Sequence, residues 1–251
     1  MKYGVQLYSL RQYLKNEDGF RLVFNKVKEY GAEVVQISGV DFTKIGVDFI
    51  ANLAKESGLE ICSTHSPYNR IVNDLDNLAL EHLTLGCNEI GIGMMPNEFR
   101  KNKYAKLNDF IDSLNTASQK LEKYNISIAY HNHWFEFDKI DNETVYEKLI
   151  NQTSTKVHFI PDTFWIKVGG EDPAEYIKKI DGRVQTLHLK DYKKTLGIPI
   201  FRALGKGTLD FKTILASAMD IGVQYSVVEL DLSPDSFKSI EFSLKFLKTI
   251  Q

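Results

Sequence analysis

The sequence predicts a (β/α)8 TIM barrel of the α/β class, and three observations carry that reading. Eight short apolar, strand-like runs alternate with eight amphipathic helical segments, and the runs begin roughly every 30 residues, a spacing that fits eight β/α units in a chain of this size. Such strict alternation implies a parallel sheet joined by right-handed crossovers. Several of the runs also end in an acid or an imidazole, the pattern of a barrel whose site lies at the strand C-termini. The rival is an open doubly wound sheet, but no GxGxxG follows the first run.

The first strand is expected over 3–8. Phe20, Val23, Phe24, Val27 and Tyr30 then share one helical face, and Gly31 can close that helix in the left-handed region. A second strand follows over 33–37. The unit recurs as a helix through Phe49, Ile50, Leu53 and Ala54 to Gly58, then a strand over 60–64. It recurs again through Leu75, Leu78, Ala79 and Leu83 to Gly86, before a strand over 89–92. The longest helix carries Leu107, Phe110, Ile111, Leu114, Ala117 and Leu121 and stops near Asn125; strand five is 126–130. A short helix over 145–150 leads to strand six, 157–161. Asp172 and Pro173 supply an N-cap and a first-turn proline for a helix that ends before Gly182. Strand seven is 184–189, and 191–208 is expected to be irregular. A helix over 211–219 and strand eight over 225–230 follow. Ser233-Pro234 is expected to cap a last helix through Phe237, Ile240, Leu244 and Leu247. No linker or change of composition divides the chain, so residues 1–251 are expected to form a single TIM-barrel domain.

Composition narrows the function classes. The chain is 43% hydrophobic, enough for a sizeable core. Its net charge is -2 with no basic run, which argues against nucleic acid as a partner. Cys62 and Cys87 are not in a CxxC spacing, so a reducing compartment is the simpler reading than a disulfide framework. The N-terminus shows no apolar signal region, and no apolar run approaches the roughly 20 residues of a membrane span. A soluble, cytoplasmic protein without a membrane partner is expected; a homo-oligomer is left open.

The chemistry concentrates in Tyr130-His131-Asn132-His133-Trp134-Phe135-Glu136-Phe137, just past an apolar run. Two imidazoles and a carboxylate are costly to bury without partners. In a barrel, Glu136 would converge with Asp162, His188 and Glu229 from the next three strand ends. Three carboxylates that close raise one another's pKa unless a cation joins them. The donor set suits one divalent metal ion, Mn²⁺, Mg²⁺, Co²⁺ or Zn²⁺. Each residue alone also reads as a loop or capping group; their succession favours a site. His131 and His133 share a strand face. Either could replace Glu136 as a ligand, act as acid or base, or bind substrate. Lys190 falls on the face of His188 and could stabilise an oxyanion. Trp165 could wall a sugar ring. His65 lies one past strand three; Gln6 and Tyr8, on strand one, are weaker candidates. His82 and His158 read as structural, and the cysteines as small buried residues.

The sequence resembles the xylose isomerase-like barrels grouped as sugar phosphate isomerases/epimerases, which also include inosose dehydratases. The resemblance rests on Gly4-Val5-Gln6-Leu7-Tyr8-Ser9-Leu10-Arg11, on the 130–137 stretch, on Asp162-Thr163-Phe164-Trp165, on Gly169-Gly170-Glu171-Asp172-Pro173, on Gly182-Arg183 through His188-Leu189-Lys190-Asp191, and on Val228-Glu229-Leu230-Asp231. It implies a divalent metal held by Glu, Asp, His and Glu of the last four strands, hence Asp162, His188 and Glu229. Many members place a Glu where this chain has His131; Glu136 is the expected first ligand and His131 the alternative. Lys206, between Gly205 and Gly207, stands where many relatives are acidic. It could meet an anionic group, since barrel phosphate sites use loops there, or be a solvated loop lysine. The superfamily's three-zinc DNA-repair endonucleases need more strand-end histidines and a basic groove, which the charge of -2 argues against.

The implied activity is isomerisation or epimerisation of a small keto sugar, polyol-derived ketone or sugar phosphate, by proton abstraction beside a metal-bound carbonyl. Glu136 and Glu229 would be the base and conjugate acid, with His133 and Lys190 as further catalytic candidates. A lyase or dehydratase acting on a keto-inositol or 3-keto sugar by the same chemistry is the alternative. A non-catalytic sugar-binding barrel is the alternative of a different class.

Overall fold

The computed structural model describes residues 1–40 and 42–250. One sheet holds eight parallel strands: β1 (Lys2–Gln6), β2 (Val34–Ser38), β3 (Glu60–His65), β4 (Glu89–Ile92), β5 (Ser127–His131), β6 (Val157–Ile160), β7 (Thr186–Leu189) and β8 (Tyr225–Val228). Their order is β6-β5-β4-β3-β2-β1-β8-β7, so the sheet curls until β6 and β7 meet. The seam is thin. Phe159 N donates to Arg183 O at 2.8 Å, His188 N donates to Pro161 O at 2.9 Å, and Asp162 bridges His188. Beyond the bridge the Thr163 hydroxyl replaces main chain, donating to Lys190 O and accepting from Lys190 N, both at 2.9 Å. The sheet is a nearly closed barrel.

The principal crossover helices are α1 (Glu17–Glu29), α2 (Val47–Ser57), α3 (Leu75–Leu85), α4 (Leu107–Leu121), α5 (Val145–Gln152), α6 (Pro173–Lys178), α7 (Phe211–Asp220) and α8 (Ser236–Thr249). Each lays an apolar face on the sheet; in α1 the buried residues are Phe20, Val23, Phe24 and Val27. Burying one such side chain contributes about 1.5–3 kcal/mol. Gly58 and Gly86 close α2 and α3 in the left-handed region, at φ 61° and 66°, where a Cβ would be strained. Asp172 caps α6 by accepting from Ala174 N and Glu175 N.

Several boundaries differ from expectation, each for a local reason. β1 stops at Gln6, whose side-chain oxygen accepts from Tyr8 N at 2.6 Å and turns the chain into a 3-10 helix, Leu7–Leu10. Leu83 of α3 is exposed, and His82 and Leu85 take the inner face. The expected irregular stretch holds a hairpin, Asp191–Thr195 paired antiparallel with Ile198–Arg202, turning at Leu196 and Gly197. Both turn residues have positive φ, 49° and 83°, as a two-residue hairpin requires. The last helix is capped by Asp235, which accepts from Lys238 N, rather than by Ser233-Pro234.

His82 is structural, as its sequence context suggests. Leu78 O can only accept, so Nδ1 donates to it at 2.7 Å, and Nε2 accepts from the Thr64 hydroxyl at 2.8 Å. Burial holds its pKa down to about 4. His158 lies 3.6 Å from the Glu89 carboxylate at the opposite end of the barrel from the strand C-termini. Cys62 and Cys87 are buried free thiols. Among the described residues no helix is long and apolar enough to cross a membrane.

Candidate metal centre and its pocket

The strand ends bring four donors together. His131 ends β5, Asp162 follows β6, His188 lies in β7 and Glu229 follows β8. All four are buried, and one donor atom from each lies within 4.8 Å of the others. Local structure aims each of them. Asp162 caps the short helix Thr163–Val168, its Oδ1 accepting from Phe164 N at 2.8 Å and Trp165 N at 3.0 Å. That leaves Oδ2 for the cluster, 3.4 Å from His131 Nε2 and 3.9 Å from His188 Nδ1. His188 Nε2 is 2.6 Å from Gln36 Oε1, an acceptor, so Nε2 carries a proton. His188 Nδ1 lies 2.9 Å from Glu229 Oε2. Burial lowers the His188 pKa, favouring the neutral ring. A neutral ring protonated at Nε2 turns a lone pair toward two carboxylates, a donor set that fits a cation.

Lys190 is the other charge. Its Nζ is 3.1 Å from Asp162, 3.0 Å from Glu229 and 3.1 Å from Asp231. Burial opposes its charge, but the three carboxylates outweigh burial and raise its pKa. Burial likewise works against ionised Asp162 and Glu229. Lys190, with His131 for the first and His188 for the second, holds both below the usual carboxylate range. Burial and neighbouring Glu229 push Asp231 up to about 6.

Glu136, expected as the first donor, is not in the cluster. It lies in the 3-10 turn Phe135–Phe137, fully buried, where its carboxylate accepts from the Tyr130 hydroxyl and from His133 N at 2.8 Å. Burial pushes its carboxyl up to about 7. The chain leaves β5 and folds back, so Glu136 props the loop that carries His133, and His131 stands where Glu136 was expected.

Above the donors opens a cavity of about 640 Å³. Gln6, Tyr8, His65, His131 and His133 line it, as do Trp165, Lys190 and Glu229; Asp162 and His188 lie beneath. Burial and nearby His131 hold His133 down to about 2, and its Nδ1 has no protein partner. Burial with His131 and His188 also keeps His65 well below its ordinary value.

Lys206 is elsewhere. It lines a separate groove, with its Nζ 4.1 Å from the Phe242 ring centroid. The flanking glycines serve Asp191, whose carboxylate accepts from Gly205 N, Gly207 N, Leu209 N and Tyr192 N. A Cβ on Gly207 would lie 2.2 Å from Asp191 Oδ1. Arg11, Trp134 and Asp231 also line the cavity without having been assigned a role from sequence. Asp231, two residues past Glu229, carries the one signal that could have found it, the strand-end period of two.

Fold and site together define a (β/α)8 barrel with a strand-end donor cluster, and residues 24–250 match the xylose isomerase-like TIM barrel family. The chain belongs to that family. An inosose dehydratase of Clostridium tetani is 24% identical over 160 residues, 57% of this chain and 53% of that protein. The chain thus matches about half the length of such relatives. A solved sugar phosphate isomerase/epimerase from Parabacteroides distasonis superposes with a TM-score of 0.81 at 24% identity, covering 99% of this chain and 98% of that one. The IolI protein, solved with a binding zinc atom, gives 0.74 at 18% identity over 100% and 96% of the two chains.

Proposed function

We propose that this protein is a metal-dependent enzyme that isomerises or epimerises a small polyhydroxylated carbonyl compound by removing a proton beside the carbonyl. The buried quartet His131, Asp162, His188 and Glu229 on the floor of an open cavity carries the reading. The zinc atom in the IolI structure and the isomerase/epimerase name of a structural neighbour support it. A divalent ion held by the quartet would supply Lewis-acid polarisation of a carbonyl.

The protein's own groups do the rest. Glu229 faces the cavity and takes the proton; Lys190, at 3.0 Å, balances its charge and lies within reach of a developing oxyanion. His133 lines the cavity and is placed to meet a substrate hydroxyl. Gln6 and His65 line the cavity, and Tyr8 and Trp165 add aromatic surface to its wall. Glu136 is a positioning residue that fixes the His133 loop.

A second reading is dehydration. Removing Glu136 from the cavity leaves no paired glutamate to return the proton on the other face, and the curated relatives are named inosose dehydratases. Both readings are tested in one tube. The metal-loaded protein is incubated in D₂O with ketoses, keto-inositols and 3-keto sugars. NMR should show deuterium entering one carbon of a substrate, and Glu229→Gln should abolish the exchange. Loss of water by mass assigns the dehydratase. An isomer formed without label assigns a hydride shift. Binding with neither exchange nor mass change, whichever of the four ions is present, would establish a non-catalytic sugar-binding barrel.

A further inference from the structure

The cavity contains two permanently cationic residues, and only one of them is neutralised. Lys190 is surrounded by three carboxylates. Arg11, at the mouth between the loops that follow β1 and β8, has no carboxylate partner among the described residues. Its Nη1 donates to Tyr8 O at 2.8 Å, its Nη2 donates to Asp231 O at 3.1 Å, and its guanidinium lies 4.1 Å from the Tyr8 ring centroid. The nearby Asp231 carboxylate is directed to Lys190. Neutral contacts therefore hold Arg11 in place without consuming its charge, and a guanidinium has five N–H donors of which these use two. Such a fork matches the paired oxygens of a carboxylate or phosphate.

We propose that Arg11 is a specificity determinant of this site and receives an anionic group, carboxylate or phosphate, carried by the substrate at the end remote from the reacting carbonyl. This rests on the reading of the cavity as a carbohydrate site, and it narrows the substrate class to polyhydroxylated acids or sugar phosphates. It also places anion recognition on the loop after β1 instead of at Lys206, which lies in a separate groove.

The test is a direct binding measurement. The chain's two tryptophans, Trp134 and Trp165, both line the cavity, so their fluorescence reports its occupancy. Metal-loaded protein is titrated with xylitol, xylonate and xylitol 5-phosphate, which share a five-carbon body and differ in terminal charge. At least one anion should bind roughly tenfold tighter than xylitol, the size of one charge-assisted hydrogen bond. Whichever anion is preferred identifies the carboxylate or phosphate source. Arg11→Met should abolish the preference, and Arg11→Lys should retain part of it, because charge survives but the fork does not. Metal content and melting temperature show that each variant keeps its fold. Equal binding of all three compounds, no binding of any, or a preference that survives in Arg11→Met each overturns the proposal. The metal content of the same wild-type sample judges the metal reading separately, so the two can fail independently.

Discussion

Thr163→Val removes one hydroxyl from the barrel seam while keeping the side chain's size and branching. Thr163 is fully buried, and its Oγ1 makes both hydrogen bonds that the Lys190 main chain forms across the seam. The variant leaves one buried N–H and one buried C=O without a partner. Each orphaned group costs about 1–3 kcal/mol, offset in part because valine has no hydroxyl to desolvate, so the expected loss is about 2–4 kcal/mol. Urea unfolding measures it as a lower midpoint at unchanged slope, provided the native and unfolded states keep their compactness. Amide exchange at Lys190 should accelerate in parallel. Thr163→Ser, which keeps the hydroxyl, should retain most of the protection. A loss below about 1 kcal/mol, or an unchanged Lys190 amide, would refute the claim that a side chain completes the ladder here.

Other outcomes follow from the same geometry. Asp162→Asn, His188→Ala and His131→Ala should each reduce metal content at least roughly tenfold by elemental analysis, whereas Glu136→Gln should retain it; the reverse pattern would return Glu136 to the centre. Arg183 is buried and donates to Val157 O, Ile150 O, Ser154 O and Thr153 Oγ1. Arg183→Met should therefore cost about 3–5 kcal/mol in urea, and a cost near zero would show that its desolvation cancels those bonds. His82 titrates near 6.5 when unfolded and only at about 4 when folded. The unfolded chain binds the proton first, so this residue's contribution to stability falls as pH drops through that window, by up to about 3 kcal/mol. Unfolding free energies of wild type and His82→Gln, followed from pH 8 to pH 4, should differ in slope there; parallel curves would count against a neutral His82.

Much of the barrel was legible because its signals are local. Apolar runs, helical faces and the glycines at 58 and 86 lie close to the elements they bound. The hairpin at Asp191–Arg202 was not legible, because its exposed strands carry Lys193 and Lys194 and bury no apolar stripe. Strand ends placed Asp162, His188 and Glu229 at one pole, and the structure gathers them there. Glu136 misled because nothing in 131–136 reveals that the chain folds back to pair its carboxylate with Tyr130. Lys206 is exposed, the position of a solvated loop lysine, one of the two alternatives its sequence context leaves open; its flanking glycines answer to the Asp191 carboxylate, a contact set by the hairpin in between and not readable from the loop itself. Arg11 closes the 4–11 stretch that shares in the resemblance, but which of its neighbours are already paired is visible only in three dimensions.

The thin seam also has a mechanical meaning. β1 and β8 are joined by four paired residues, whereas β6 and β7 meet through two main-chain bonds and a hydroxyl, with Asp162 and His188 facing each other across the join. If the cask springs a stave, it springs there, and the two donors part as it does. Anything gripping both donors acts as a hoop, lowering the open population by a factor of one plus its free concentration over its dissociation constant. Protection of the amides of His188 and Lys190 would then read out what the centre holds, while the β1–β8 ladder stays indifferent.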